Sequence, residues 1–326
     1  MTKATRISYA AIATVLLLVC VLHLSTLIIT VLFSYFALDC LRLGGRKWLA
    51  VGIFLLLVAL LSVGFYLFAH QAVVAFPKIA DTTIPIITEH ANRYGLEVPF
   101  IDYESLRNMV FGKIPSKVAG LGHFVRLAAV ELMQLFIGLA AAVSLFLDAR
   151  FQLGAHASAV KDNIYSLVWM ELSTRFRTFY LSFRTVMGAQ IIISLINTAL
   201  TAGFLLWQNL PFAIVIIVCT FLCGLLPIVG NLLSNTLIVC LALTISPKLA
   251  VAALVFLVVL HKAEYFLNSK IIGDRIKNPM WLTLLGLVIG ETLMGIPDMI
   301  LAPVIFYYIK VEASHETFAQ QAGTGQ

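Results

Sequence analysis

The sequence predicts an all-α membrane protein: a polytopic bundle of transmembrane helices with short broken or re-entrant hairpins and a small extramembrane helical module. Hydrophobic residues make up 61% of the 326 residues and charged residues only 12%, whereas about a quarter of a soluble domain is charged. The mean hydropathy is +0.98. The apolar runs are continuous rather than alternating, which favours helices over a β-barrel, the other structure that satisfies the backbone in lipid.

The net charge of +6 predicts a lipid-facing role for the basic residues rather than nucleic-acid binding. Lysine and arginine collect in cytoplasmic loops beside anionic lipid, and here they are dispersed without a nucleic-acid-binding pattern. No nucleotide-binding, nucleophile or zinc-protease motif is present, so we predict no cofactor, no metal and no enzymatic activity. The five cysteines are expected to pack as small apolar side chains. All lie in or beside apolar runs: Cys20, Cys40, Cys219, Cys223 and Cys240.

The first apolar run, Ser8 to Leu38, predicts a helical hairpin. Its 31 residues exceed both the apolar region of a signal peptide and the roughly 20 residues of one untilted span. His23 lies at its midpoint in a polar cluster that offers a turn. Basic residues flank the run on both sides, which predicts that both of its ends face the cytoplasm.

The chain is expected to divide into four parts. Residues 1–69 hold the first hairpin and an ordinary span from Trp48 to Ala69. Residues 70–124 carry balanced charges and four prolines, which predicts an outer extramembrane module of short helices, one of them N-capped by Asp102. Residues 125–310 form the predicted transport core, and the polar residues 311–326 are expected to be a disordered tail.

The predicted core combines ordinary spans with two further over-long apolar runs. The ordinary spans are Val125 to Leu147, Val186 to Leu206 and Leu249 to Leu267, with a cytoplasmic amphipathic helix over residues 155–184. The over-long runs are Phe212 to Ile245, broken at Pro227 and Gly230, and Met280 to Ile309, broken at Gly290, Gly295 and Pro297. Broken helices at membrane depth are tolerated where they line a cavity, and transporters place substrate sites there.

Two acids in the last apolar run are candidate carriers of a proton or cation. Glu291 and Asp298 are seven residues apart, so they share a helix face only if the helix continues through Gly295 and Pro297. Acids inside a membrane-length run are costly and commonly mark an ion pathway. Pairing with a nearby basic residue remains an alternative for both, and N-capping of the last helix is an alternative for Asp298.

Five more polar residues are candidates for the same pathway. His261 and Glu264 share a helix face and could form a proton-sensitive pair, or could be charges at the membrane interface. Asn231 and Asn235, four residues apart beside the Pro–Gly break, could bind a cation or polar solute, or could cap backbone groups freed by the break. Glu131 lies on an otherwise apolar span and could instead pair with an arginine at the interface.

The C-terminal half resembles the autoinducer-2 exporter family of bacterial permeases, also called PerM-like permeases. The resemblance rests on three stretches: LPIVGN (Leu226 to Asn231), AEYFLNSKIIG (Ala263 to Gly273) and NPMWLTLLGLVIGETLMGIPDMILAP (Asn278 to Pro303). It implies either export of a furanone signalling molecule or sodium–proton exchange. It also implies a homo-oligomer, with a pentamer as one arrangement. The sequence departs from the family at Glu291, where small residues are usual.

We therefore expect a multi-pass transporter in the bacterial inner membrane. Its expected partners are a small polar solute or monovalent cation, membrane lipid and further copies of the chain. Transport is expected to be coupled to a proton or sodium gradient through Glu291, together with Glu264 or Asp298. A sodium–proton antiporter, an uncoupled channel and a non-transporting scaffold remain as alternatives.

Overall fold

A computed structural model describes residues 3–42, 46–93, 95, 102, 104–105, 119–148, 164–226, 229–272, 285–286, 288–290, 292 and 295–323. All regular secondary structure in these residues is helical, which confirms the predicted fold class. Nine helices are defined among them: α1 (Lys3–Val21), α2 (Ser25–Cys40), α3 (Lys47–Arg93), α4 (Ala119–Leu147), α5 (Ile164–Trp207), α6 (Ala213–Gly224), α7 (Val229–Leu243), α8 (Pro247–Ile272) and α9 (Ile296–Gly323).

Three of these helices are long and apolar enough to cross a membrane: α3, the Val125–Leu147 part of α4, and α5. They contain three of the predicted spans, and α8 contains the fourth, Leu249 to Leu267. The apolar helices α6 and α7 have 12 and 15 residues, hence lengths of about 18 and 22 Å at 1.5 Å per residue. Each is shorter than the roughly 30 Å hydrocarbon core.

The chain divides into two compact units. The first contains Met1–Val58, Arg126–Gly188 and Ile276–Gln326, and the second contains Ala59–Val125 and Ala189–Arg275. In the first unit, one buried cluster joins α2, α3 and α4 through Leu38, Phe54 and Phe146. A second joins α5 and α9 through Phe183 and Val304. These side chains are at most 3% exposed.

The turn between α1 and α2 is held by Gln134 of α4. His23 occupies the left-handed region at φ 50°, as predicted for a turn at this residue. The Gln134 side-chain nitrogen donates to the His23 carbonyl at 3.1 Å, and its oxygen accepts from the Leu27 N–H at 3.2 Å. Gln134 is 4% exposed, so one buried amide satisfies two backbone groups that the turn leaves without helical partners.

A buried arginine connects α1, α5 and α9 in the first unit. The Arg175 side chain is 6% exposed, and its guanidinium lies 3.1 Å from a Glu171 carboxylate oxygen and 3.3 Å from a Glu312 oxygen. Its Cζ atom lies 3.7 Å from the centroid of the Tyr9 ring. A planar guanidinium can serve carboxylates along its edge and an aromatic ring on its face, so Arg175 ties three helices together.

The second unit is organised around α5, α6, α7 and α8. Its core contains Leu205, Ile216, Ile238 and Leu257, each no more than 6% exposed. The rings of Phe204 and Phe256 stack with their centroids 4.5 Å apart. This packing brings the broken hairpin formed by α6 and α7 against the longer helices α5 and α8.

The structure differs from the sequence prediction over residues 70–93, where short helices were expected. Instead, α3 continues through Pro77 and Pro85 to Arg93. Ala72, Ala75 and Ile79 are buried at intervals of three and four residues along this extension, and Ile79 belongs to the core of the second unit. Tertiary packing of an apolar face therefore outweighs the helix-breaking tendency of proline.

Two further predicted boundaries also differ. The amphipathic helix and the span that follows it form one helix, α5, because no proline or turn signal separates residues 164 and 207. The predicted disordered tail continues α9 to Gly323. Its residues include good helix formers such as alanine, glutamate and glutamine, and Glu312 near its start is paired with Arg175.

The third over-long run is interrupted at Gly295. This residue has a φ of +80°, a conformation that glycine adopts at little steric cost. Pro297 follows in the first turn of α9, where proline is favoured. A Cβ atom on Gly290 would lie 3.0 Å from the Asp298 carbonyl oxygen, so the two arms of this run approach closely at a second glycine.

Candidate functional site

The break between α6 and α7 is tightly packed in the second unit. Helix α6 ends at Gly224, and the Leu226 N–H donates back to the Cys223 carbonyl at 2.8 Å. A Cβ atom on Gly230 would lie 1.6 Å from that same carbonyl oxygen, so only glycine allows this approach of the two helices. Pro227, the other predicted break residue of this run, lies outside the described residues.

Helix α5 supplies hydrogen bonds that the end of α6 lacks. The Gln190 side chain donates to the Gly224 carbonyl at 2.7 Å, and the Ser194 hydroxyl donates to the Phe221 carbonyl at 2.9 Å. The last carbonyls of a helix have no intrahelical partner, and an unsatisfied polar group in hydrocarbon costs several kcal/mol. The two side chains explain how the helix can end inside the apolar part of the protein.

A polar cavity lies beside this break. Its volume is about 10 Å³, which is room for about one water molecule. Residues from α5, α6, α7 and α8 line it: Asn197, Thr220, Asn231, Ser234, Asn235, Leu257, Leu260, His261 and Glu264. The structure therefore brings together four of the residues predicted from the sequence, namely Asn231, Asn235, His261 and Glu264.

A short hydrogen-bonded contact in the cavity joins Asn231 to Glu264. The Asn231 side-chain nitrogen lies 2.7 and 2.8 Å from the two carboxylate oxygens of Glu264. The Glu264 side chain is 13% exposed, whereas His261 is 69% exposed with its Nδ1 atom 4.0 Å from the carboxylate. Asn231 thus holds the carboxylate rather than capping the helix break, and His261 stands at the edge of the cavity beyond hydrogen-bonding distance.

Asn197 lines the cavity but was not among the residues predicted from the sequence. It is 6% exposed, and its side-chain oxygen has no hydrogen-bond partner within the described part of the chain. Gln190, Ser194, Asn197 and Thr201 recur at intervals of four, three and four residues, which places them on one face of α5. That polar face within an apolar span is the signal from which sequence reasoning could have found Asn197.

The cavity carries an unbalanced negative charge when Glu264 is ionised. Among its lining residues Glu264 is the one acid, and none is a lysine or arginine. The amide of Asn231 and the nearby hydroxyls are neutral dipoles. Charges at membrane depth are costly, so this arrangement favours a bound cation.

The remaining predicted residues lie elsewhere. Glu131 is exposed on α4, and Asp298 is half-buried in the first turn of α9, where it accepts a hydrogen bond from the Ser25 side chain. Both belong to the first unit, and neither lines the cavity. Glu291 lies outside the described residues. No cluster of three or more metal-binding side chains occurs in the part of the chain that the structure describes.

A set of apolar helices with a short broken hairpin and a polar cavity at the break is typical of a membrane permease. The family model described as "AI-2E family transporter" matches residues 7–315. The chain therefore belongs to this family of membrane permeases, as the resemblance implied. It is also similar to "Putative transport protein YdbI" of Bacillus subtilis (strain 168), with 25% identity over 266 residues that cover 79% of this chain and 73% of the relative.

Proposed function

We propose that this permease moves a small polar solute or a monovalent cation, and that Glu264 couples the movement to a proton or sodium gradient. The observation that carries the proposal is the polar cavity at the helix break, where Glu264 is held by Asn231 and no lysine or arginine is among the lining residues. When a carboxylate in this setting binds or releases a cation, the net charge of the cavity changes. Coupling requires such a change, because it links the state of the transport site to the cation gradient.

The size and lining of the cavity favour a small hard cation or a proton carried by water. Room for about one water molecule excludes a larger solute in this conformation. Hard cations prefer oxygen ligands, which the Glu264 carboxylate and the unpaired side-chain oxygen of Asn197 could provide. One carboxylate balances one positive charge, so the site suits a monovalent rather than a divalent ion. A larger solute would need a conformation in which the broken hairpin has moved.

We further propose a bacterial inner-membrane location, antiport between solute and coupling ion, and a homo-oligomeric assembly. The family resemblance supports these statements. The mainly exposed apolar face of α3, including Leu60, Val63 and Phe65, offers a surface for lipid or for another copy of the chain. Native mass spectrometry of the protein in detergent tests the assembly, and a monomer at all protein concentrations would contradict it.

The coupling is tested in proteoliposomes that contain fluorescent reporters of internal pH and sodium. The wild-type protein should move protons or sodium when the opposite gradient is imposed, and Glu264→Gln should abolish that flux because it removes the charge. Asn197→Leu should weaken the apparent cation affinity by about tenfold, equivalent to about 1.4 kcal/mol. Glu131→Gln is the matched control, because Glu131 is an exposed acid outside the cavity, and it should retain full flux.

The other outcomes separate the alternatives. Unchanged flux in Glu264→Gln would refute the proposed role of this residue. If Glu291→Gln abolished flux while Glu264→Gln did not, the coupling charge would belong to Glu291. Flux that proceeds down the cation gradient without exchange would identify a channel.

A further inference from the structure

Two cysteine side chains lie in contact on the last two turns of α6. Cys219 and Cys223 are four residues apart, on one face of the helix, and their sulfur atoms are 3.8 Å apart. Both side chains are half-buried. Among the described cysteines this is the pair with touching sulfurs. Cys40 is exposed on α2 and Cys240 is half-buried on α7.

The geometry suits a shared bridging centre better than a disulfide. A disulfide needs sulfurs about 2.05 Å apart and Cβ atoms about 3.5–4.5 Å apart, whereas a helix holds the Cβ atoms of residues four apart at about 5–6 Å. Two thiolates on one tetrahedral ion with bonds of about 2.3 Å lie about 3.8 Å apart. The observed separation of 3.8 Å matches that arrangement. A three-coordinate pyramidal centre has a smaller angle between its sulfur bonds, so the two side chains need only a small rotation towards each other to reach it.

The ligand class follows from the number of donors. The described residues offer no third cysteine, histidine or carboxylate that would complete a metal site with this pair. An atom that binds here must therefore be satisfied by two sulfur ligands from the protein, and any further ligand must already be attached to it. A trivalent arsenic atom with one organic substituent meets this condition, because its three bonds are filled by two sulfurs and one carbon.

We propose that Cys219 and Cys223 form a dithiol site for thiophilic centres of the monoorganoarsenic(III) class. With phenylarsine oxide, two S–H bonds and the arsenic–oxygen bond are broken and two As–S bonds are formed. The oxygen leaves as water with the two thiol protons, and no electrons are transferred. A small soluble dithiol reverses the reaction by exchange.

The site lies beside the helix break but does not depend on the proposed transport function. Thr220, between the two cysteines, lines the polar cavity. The carbonyl of Cys223 accepts the Leu226 N–H and is the group that Gly230 packs against. An atom that bridges the two sulfurs would therefore cross-link and restrain the turn of α6 that forms one side of the break.

The test uses full-length protein in detergent in which Cys20, Cys40 and Cys240 are serine, so that Cys219 and Cys223 are the remaining thiols. Phenylarsine oxide should add one phenylarsenic group per chain in intact mass spectra, and should protect both cysteines from maleimide labelling. Excess 2,3-dimercaptopropanol should restore labelling. Adding either Cys219→Ser or Cys223→Ser should abolish the adduct at the arsenical concentration that saturates the two-cysteine protein.

Two results would overturn the proposal. One is an adduct that survives in a single-thiol variant, since binding would then not require the pair. The other is complete maleimide labelling of Cys219 and Cys223 in saturating arsenical. Peptide mapping of the wild-type chain, with all five cysteines present, repeats the test without substitutions. Protection there of Cys219 and Cys223 together supports the site, and protection confined to other cysteines refutes it.

Discussion

Replacement of Gly230 by alanine should destabilise the broken hairpin more than any ordinary glycine substitution. The added Cβ atom would lie 1.6 Å from the carbonyl oxygen of Cys223 and 2.5 Å from its carbonyl carbon, while ordinary contact begins at 3.4 Å. The two helices must therefore separate by about 1.8 Å at this point. Because the contacted atoms are backbone, no rotation of a side chain can relieve the overlap.

The expected cost follows from two opposing effects. Alanine gains about 0.5–1 kcal/mol over glycine within a helix. Overpacking in a close-packed interior costs about 1–3 kcal/mol and occasionally more, and a rigid backbone contact belongs at the upper end of that range. We therefore expect Gly230→Ala to lower the free energy of unfolding by about 2 kcal/mol, and to reduce transport because the polar cavity lies beside the break.

The measurement is reversible unfolding by SDS in mixed micelles, followed by circular dichroism. Gly203→Ala is the matched control, because Gly203 lies in α5 of the same unit and a Cβ atom there would meet nothing within 4 Å. The control should be as stable as the wild-type protein or slightly more stable. Equal stability of Gly230→Ala and Gly203→Ala would refute the packing argument.

Three further predictions use the same unfolding assay or NMR. Gln134→Leu should cost about 2 kcal/mol, because two buried backbone groups of the α1–α2 turn lose their partner, while the exposed Glu131→Gln on the same helix should change little. Arg175→Met should cost roughly 3 kcal/mol by leaving two carboxylates without their cation. Arg175→Lys should recover part of that loss, and equal effects of methionine and lysine would contradict the ion-pair account. Hydrogen bonds from Ser105 hold the pKa of the Asp102 carboxyl below its usual range, so this cap should persist above about pH 4 and be lost as the pH falls through the lower folded-state pKa. A Ser105 amide NMR shift that changes with its midpoint at or above about pH 4 would contradict that expectation.

Local pattern was sufficient to predict much of the fold. The turn at His23, the spans in α3, α4 and α5, and the N-cap at Asp102 all follow from run length, charge placement or capping chemistry. The reciprocal hydrogen bonds between Asp102 and Ser105 confirm the cap. The prediction failed where distant packing decides, as in the extension of α3 through Pro77.

The candidate site could be predicted in part. Asn231 and Asn235 were found because they neighbour a glycine in a broken run, and Glu264 because a charge in an apolar run is unusual. Their roles could not be assigned, since the partner of Asn231 is 33 residues away. Asn197 shares a polar face of α5 with Gln190, Ser194 and Thr201, and that spacing was overlooked. Its place in the cavity comes from the three other helices that pack around it, and no local pattern shows this packing.

The sequence by itself determined the class of protein. Continuous apolar runs require helices in lipid whatever their arrangement, because each backbone group must be satisfied within its own segment. Only the tertiary structure decided which polar groups meet. Helix packing joins residues that no local pattern connects. It decides the contact between Asn231 and Glu264 and the burial of Asn197 beside them. It also decides the approach of Gly230 to the Cys223 carbonyl.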